Sequence, residues 1–307
     1  METKLILKEI AKNIHSSKDK YSAHEKIRKH FEELCQDMNF IHNAIKECIS
    51  NPKFFYNANN LYFYLLVEGD VIIAINLFPP IYDKAENITH DNIHHHGWRL
   101  LTTGVISGNG YETINFVKKS HLNVIGEEVK LKIEKAYRHT LGSLEFIDSE
   151  QAHVVFHPQS TTATLALWSA KKNLANQKIK RILKNYPAFG KFTSNLVHKT
   201  GLSKFFELNQ KERVQFVPKN GKIIFNPNPA KEIDGPNQEI IPCMFKFFEQ
   251  IKLNDSLLFN KIKNFAPKET HTLFDKLISG EPIADLGIKG DIRRRFSKKE
   301  ILEAVKF

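Results

Sequence analysis

Three consecutive histidines, His94 to His96, precede a β-rich run and constrain this chain more than any other stretch of it. Successive side chains of a strand point to opposite faces, so a strand that begins here places His94 and His96 together and turns His95 away. The apolar residues 100–106 are predicted to continue that strand. Residues 108–110, Gly-Asn-Gly, tolerate positive φ and predict a hairpin turn into a return strand.

Two imidazoles on one face need a third ligand before they can hold a metal ion. His153 is the best candidate, because it opens a short predicted strand, residues 153–157, ahead of another apolar run. Three neutral imidazoles suit iron(II), Fe(2+), and equally zinc(II), Zn(2+), and they leave coordination positions open. The alternatives are a surface pair for His94 and His96, and a core histidine bonded to a backbone carbonyl for His153.

These histidines resemble the metal motifs of the cupin superfamily, and within it the three-histidine non-haem iron dioxygenases of the cysteine dioxygenase type. His94 and His96 match the first motif. His153 matches the second motif, with His157 in place of its asparagine. Leu101 stands where many cupins carry a glutamate ligand, which cysteine dioxygenases also lack. The resemblance implies a barrel or jelly roll, iron(II) held by three histidines, and a reaction with dioxygen.

The sequence departs from that family around the substrate. Leu101 replaces a cysteine that animal enzymes cross-link to a tyrosine, and Trp168 stands where that tyrosine would be. Residues 164–168 replace the Ser-x-His-x-Tyr relay, and the strand that carries Tyr62 and Tyr64 lacks the arginine that grips a substrate carboxylate. We therefore expect an oxygenase that acts on a small molecule other than cysteine.

Three further residues are candidates for a catalytic role. Tyr62 and Tyr64 share one face of a predicted strand, where the alternative is ordinary aromatic packing. His157 lies four residues after His153 on the same face, which makes it a substitute ligand or a support for the ligands. Arg99 is expected to face away from the metal if the strand is straight.

The pattern of apolar residues divides the chain into three regions. Residues 1–52 show three- and four-residue steps that predict two or three helices, and residues 53–170 show many short β-rich runs that predict a cupin-like barrel. Residues 171–307 are predicted to be basic and mostly helical, with one hairpin at 214–225. The predicted fold class is mainly β, a cupin-type barrel or jelly roll flanked by helical regions.

The net charge of +11 is concentrated in one segment. Residues 171–222 hold thirteen lysines and arginines against two glutamates, Glu207 and Glu212. Such a segment could bind nucleic acid, an acidic lipid surface or an acidic protein, whereas the simpler alternative is a solvated helix face. This leaves two other functions open: a metal- or ligand-binding sensor or scaffold without turnover, and a metal-independent protein that binds or modifies nucleic acid.

Three cysteines, an odd number without a Cys-x-x-Cys pair, argue against disulfides and against structural zinc. The N-terminus lacks the pattern of a secretion signal. No apolar run reaches the ~20 residues of a membrane helix. We expect a cytoplasmic protein without a membrane span.

Overall fold

The computed structural model describes residues 2–56, 61–81, 87–118, 126–171, 214–225, 237–288 and 296–305. Three helices open the chain: α1 (Glu2–Ser16), α2 (Lys20–Gln36) and α3 (Met38–Ile49). Asp19 and Asp37 cap the second and third of these, since each side chain accepts hydrogen bonds from backbone N–H groups of the first turn. The N-terminal helices that the sequence predicts are therefore confirmed.

Nine strands follow between residues 62 and 170, and a later hairpin adds two. Every strand pair is antiparallel. The first sheet has the order β1-β2-β9-β4-β7, and the second has the order β11-β10-β3-β8-β5-β6. The strands are β1 (Tyr62–Glu68), β2 (Val71–Phe78), β3 (Ile93–His95), β4 (Arg99–Ser107), β5 (Tyr111–Phe116), β6 (Ile133–His139), β7 (Leu144–Ile147), β8 (His153–Val155), β9 (Thr162–Ala170), β10 (Val214–Lys219) and β11 (Lys222–Phe225).

C-terminal helices complete the fold. These are α4 (Asn237–Gln250), α5 (Ser256–Lys263), α6 (His271–Ser279) and α7 (Lys298–Val305). Two antiparallel sheets with helices before and after them confirm the predicted fold class, a jelly-roll type of β protein flanked by helical regions. None of the helices in the described ranges combines the length and the apolar character that crossing a membrane requires.

The histidine strand is shorter than predicted. β3 ends at His95, Gly97 adopts a φ of +59°, and β4 begins at Arg99 in the other sheet. The prediction of one continuous strand through residues 100–106 is wrong, because the left-handed glycine turns the chain from one sheet into the other.

The turn at residues 108–110 is also not a hairpin. Gly108 and Gly110 have the expected positive φ, 85° and 75°. However, β4 and β5 belong to different sheets and do not pair. A Cβ on Gly110 would lie 1.9 Å from the carbonyl oxygen of His139, so only glycine fits this crossing.

Two tight turns join paired strands, and the second of them confirms the hairpin predicted at 214–225. Glu68 pairs with Val71, and Lys219 pairs with Lys222 across Asn220 and a glycine at positive φ. β10 also pairs with β3, so this hairpin, which the predicted boundary at 170 assigns to the C-terminal region, extends the second sheet. The division into three regions stays a prediction.

Two apolar cores lie on the outer faces of the two sheets. Phe63, Ile75 and Leu165 form one register row that packs, within a single buried cluster, with residues of α1 to α6. On the second sheet, Phe216 belongs to another buried cluster that includes Ile301 of α7. Because side chains alternate, the remaining rows of both sheets face inward, toward each other.

The last helix begins with a capping box. The Glu300 carboxylate accepts a hydrogen bond from the Ser297 backbone N–H at 2.7 Å, and the Glu300 N–H donates to Ser297 Oγ at 3.2 Å. The basic helices predicted between residues 174 and 206 lie outside the described residues, as does most of the basic segment 171–222.

Candidate metal centre

A row of polar side chains crosses five strands of the second sheet on its inner face. The row consists of the register partners Gln215, His94, His153, Asn115 and Lys135. Side chains of directly opposed residues share a face, with Cβ atoms about 5 Å apart. Two of the predicted metal ligands are therefore neighbours on adjacent strands.

The third predicted ligand completes a compact group. The ring centroids of His94 and His153 lie 4.5 Å apart, and His96 lies 5.0 Å and 4.9 Å from them. The nitrogen atoms these rings offer lie within 4.8 Å of one another. The ring of His95 points the other way, to the outer-face residue Phe216 at 6.0 Å. The structure thus brings together the three histidines that the sequence singled out.

Backbone carbonyls orient two of the three imidazoles. The Nδ1 atom of His94 lies 2.8 Å from the Asn92 carbonyl oxygen, and Nδ1 of His153 lies 3.3 Å from that of Gln151. A carbonyl only accepts hydrogen bonds, so each Nδ1 carries the hydrogen and each Nε2 keeps its lone pair. This arrangement is the one that histidine ligands of metals commonly use.

The surroundings favour the neutral form of two of the three imidazoles, those of His96 and His153. Burial holds the pKa of His96 well below its usual value, and the charges of His153 and His94 lower it further. Burial also lowers the pKa of His153, with His94 as the next cause. Metal ligation requires neutral imidazole, so the group could hold a divalent metal ion at neutral pH.

Arg99 lies closer to this group than strand alternation predicts. Its neighbours Leu100 and Thr102 belong to the helix-facing side of β4, since Thr102 bonds His24 of α2 at 2.7 Å. Arg99 therefore faces inward, and its charge contributes to the lowered pKa of His96. The alternation of side chains between the two faces of a strand does not continue across the turn between His95 and Arg99. Gly97 is the sequence signal for that turn.

His157 lies outside the three-histidine group. Among the described residues, the group able to hold a metal consists of the other three histidines. The Nδ1 atom of His157 lies 2.8 Å from the Pro79 carbonyl oxygen, and its ring lies 5.0 Å from that of His90. Its catalytic role stays a prediction.

Tyr62 and Tyr64 lie on β1, at the edge of the first sheet. Their rings stack with centroids 6.0 Å apart, and Tyr64 is 56% exposed. Asn76 is the register partner of Tyr62, and Ala74 is that of Tyr64, which places both tyrosines on the inward side of this edge strand. Their catalytic roles stay predictions as well.

Sequence reasoning missed a polar network beside the group. Tyr137 on β6 lies close to Asn115 and Glu145, and burial and the charge of Glu145 raise its pKa. Lys135 donates to Glu145 at 2.9 Å and so links the edge strands β6 and β7 of the two sheets. No motif marks these residues; the signal was the polar residues at alternate positions of two predicted strands.

An apolar wall stands on the first sheet next to Arg99. Leu101, Ile147 and Ala166 form a small buried cluster, against which the half-buried Trp168 packs. Leu101 and Trp168 are register partners one step from the pair of Arg99 and Ala170. The wall presents an aliphatic and indole surface.

No model of a protein family matches the sequence, and no curated protein matches it. Among solved structures, the chain is similar to a DMSP lyase from Ruegeria pomeroyi, with 14% identity over 34% of this chain and 40% of that chain and a TM-score of 0.22. It is also similar to a cupin protein from Bacteroides fragilis, with 14% identity over 34% of this chain and 68% of that chain and a TM-score of 0.23. The cupin domain of a Schizosaccharomyces pombe protein matches with 6% identity over 39% of this chain and 69% of that chain, at a TM-score of 0.26.

The chain thus spans less than half of the length of the DMSP lyase that it matches. At these TM-scores, the similarities carry no weight on function. The fold follows from the strand order and register, and the function from the site itself.

Proposed function

We propose that the protein is a mononuclear non-haem iron(II) oxygenase of the cupin type. His94, His96 and His153 are its metal ligands, and dioxygen and a small molecule other than cysteine are its substrates. The observation that supports this proposal most is the compact group of three imidazoles, whose nitrogen atoms lie within 4.8 Å of one another. Iron(II) held on one face by three protein ligands supplies open positions for substrate and dioxygen chemistry.

The residues around the group support the same proposal. The carbonyls of Asn92 and Gln151 hold two imidazoles in the tautomer that exposes Nε2 to a metal. The apolar wall at Trp168 lies one register step from Arg99, whose charge acts on His96. Arg99 thus lies next to that wall, and its cationic side chain favours an electron-rich substrate.

A cysteine substrate does not fit this environment. The Trp168 indole lies in the apolar wall and offers no phenol hydroxyl. A substrate that packs on this wall presents an apolar surface to it, so we expect no oxygen uptake with cysteine.

Non-catalytic metal binding is the second candidate function. The same apolar wall favours it, because Leu101, Ile147 and Trp168 contain no group that transfers protons to or from a substrate. A zinc ion in the same site is a third outcome, since zinc accepts three histidines and activates water for hydrolysis.

Metal content is the first test. Untagged protein is purified without oxygen and its metals are measured by elemental analysis, together with His94→Ala and His153→Ala. His95→Gln is the matched control, because His95 belongs to the same strand but faces Phe216. We expect near-stoichiometric iron in the wild type and in the control, and loss of iron in both alanine variants.

Oxygen uptake with a panel of small molecules then separates turnover from binding. Iron that the alanine variants lose, with oxygen uptake on one substrate class, supports the oxygenase. Iron or another metal bound without any uptake supports the sensor or scaffold, and zinc lost in the same variants moves the chemistry to hydrolysis. Metal content that the two alanine variants leave unchanged excludes the site.

A further inference from the structure

Two buried polar side chains in the first sheet each have an oxygen atom without a hydrogen-bonding partner among the described residues. Asn76 on β2 and Thr164 on β9 are register partners on the inward face, and they are 9% and 0% exposed. The two atoms are Asn76 Oδ1 and Thr164 Oγ1. Their side chains are neighbours because directly opposed residues hold their Cβ atoms about 5 Å apart.

Such a pair is unusual in a folded protein. Buried polar atoms nearly always have a partner, because an unpaired one loses its bonds to water and gains nothing in return. Thr162, two residues earlier on the same strand and equally buried, shows the ordinary pattern, since its Oγ1 bonds the Ser160 carbonyl at 3.1 Å. Among the described residues nothing pairs with Asn76 Oδ1 or Thr164 Oγ1, so both atoms are available to a bound molecule.

The pair faces the same interior as the metal group. Along β9, the inward positions are Thr164, Ala166 and Trp168, at steps of about 6.7 Å. Ala166 and its register partner Ala74 lie between the polar pair and the apolar wall. Their methyl side chains fill little of the interior there. A third unpartnered acceptor, Asn115 Oδ1, lies beside His153 on the opposite sheet.

The chemistry of the pair defines what it can recognise. An amide and a hydroxyl carry no net charge, and both donate and accept hydrogen bonds. In the adjoining row, the carboxylate of Glu145 is already paired with Lys135 at 2.9 Å. A ligand group that donates and accepts without charge, such as a hydroxyl or a primary amide, satisfies this pair, whereas an ionised group finds no opposite charge here.

We propose that Asn76 and Thr164 form a subsite for the uncharged polar end of the substrate, a hydroxyl or primary amide group. This proposal rests on the proposed function, in which the other end of the substrate reaches the metal group. The substrate class is then a small amphipathic molecule: its middle packs over Ala74 and Ala166, and its neutral polar end bonds the pair.

Thr164→Val tests the subsite, with Thr162→Val as the matched control on the same strand. Without ligand, we expect Thr164→Val to raise the melting temperature, because it replaces an unpartnered hydroxyl with an isosteric methyl group. Thr162→Val should lower the melting temperature, because its hydroxyl is bonded. A lower melting temperature in both variants overturns the proposal, since Thr164 would then already have a partner.

Binding is measured by NMR titration with acetamide and glycerol as neutral probes and acetate as the charged one. We expect saturable binding of a neutral probe to the wild type and to Asn115→Ala, and a loss of at least about tenfold in Asn76→Leu and Thr164→Val, equal to about 1.4 kcal/mol. No saturable binding of either neutral probe, acetate binding as tightly as acetamide, or binding unchanged in these two variants overturns the subsite.

The titrations are run on metal-free and metal-loaded protein, so that the two proposals fail separately. If the protein does not hold metal but still binds the neutral probes, the oxygenase proposal is refuted and the subsite proposal stands. Iron held by the three histidines without any effect of Asn76→Leu or Thr164→Val on probe binding refutes the subsite and retains the metal site.

Discussion

The outer faces and the interior of the two sheets differ in chemistry, and the difference reverses the usual order of a β-sandwich. A sandwich ordinarily packs its apolar core between the sheets. Here the large apolar clusters lie outside, between each sheet and its helices, while the inner rows hold histidine, asparagine, threonine, tyrosine and paired charges. Apolar side chains are buried between the sheets and the helices instead of between the two sheets. The apolar layers that stabilise the fold are therefore separate from the polar interior.

The strongest test of this separation removes a ring from the outer core. Phe248 of α4 is fully buried, and its ring lies 6.0 Å from Phe63 of the first sheet and 5.5 Å from Phe245. We expect Phe248→Ala to lower the free energy of unfolding by about 3–5 kcal/mol, through lost burial and the cavity left behind. Urea unfolding measures this. Metal bound per folded molecule should stay at the wild-type level, and a parallel loss of metal would show that the layers are not independent.

The next effect in size comes from acid. His24 of α2 is buried and bonds Thr102 and Ser169 on the outer face of the first sheet, and burial, followed by the charge of Lys20, lowers its pKa to about 4. The unfolded chain binds this proton near the usual value of 6.5, so stability is full above that pH and is lost as the pH falls toward 4. We expect this histidine to contribute roughly 3 kcal/mol to the loss between pH 7 and pH 4.

His24→Gln provides the comparison for the acid effect, because an amide can still bond both hydroxyls but does not titrate in this range. Urea unfolding of both proteins over pH 4 to 7 should show a shallower pH dependence for the variant. Equal slopes in the two proteins would assign the acid sensitivity to other groups, such as His139, whose pKa burial also lowers.

The smallest effect is expected in the interior. Tyr137→Phe removes the hydroxyl that lies near Asn115 and Glu145 but leaves the ring in place. We expect a loss of about 1 kcal/mol in the free energy of unfolding, far less than for Phe248→Ala. Thermal and urea unfolding check this. A loss as large as that of the outer-core variant would mean that the inner network, too, holds the sheets together.

Local patterns predicted much of this molecule. The N-terminal helices followed from apolar residues at three- and four-residue steps, and the turn at Asn220 followed from an Asn-Gly pair that accepts positive φ. His94 and His96 were placed on one face by alternation alone. Each of these depends on residues close together in the chain, where sequence and geometry are tightly linked.

The failures share one physical cause. Alternation assigns a side chain to a face of its strand, but it does not say which sheet the strand joins. The crossing between sheets at Gly97 was therefore predicted as the continuation of one strand, and the crossing at residues 108–110 as a hairpin. For the same reason Arg99 was assigned to the wrong face. The unpartnered pair Asn76 and Thr164 was equally invisible, because only the register between β2 and β9 brings them together.

The pairing of Gln215 with His94 has a consequence for the order in which the molecule assembles. Until the later hairpin emerges during synthesis, β3 is an open edge whose backbone groups on that side await a partner. Contacts between segments so far apart in the chain form slowly, because the intervening loop must close first. The strand that carries His94 and leads into His96 is thus secured among the last, and we infer that the capacity to bind metal arises late in folding.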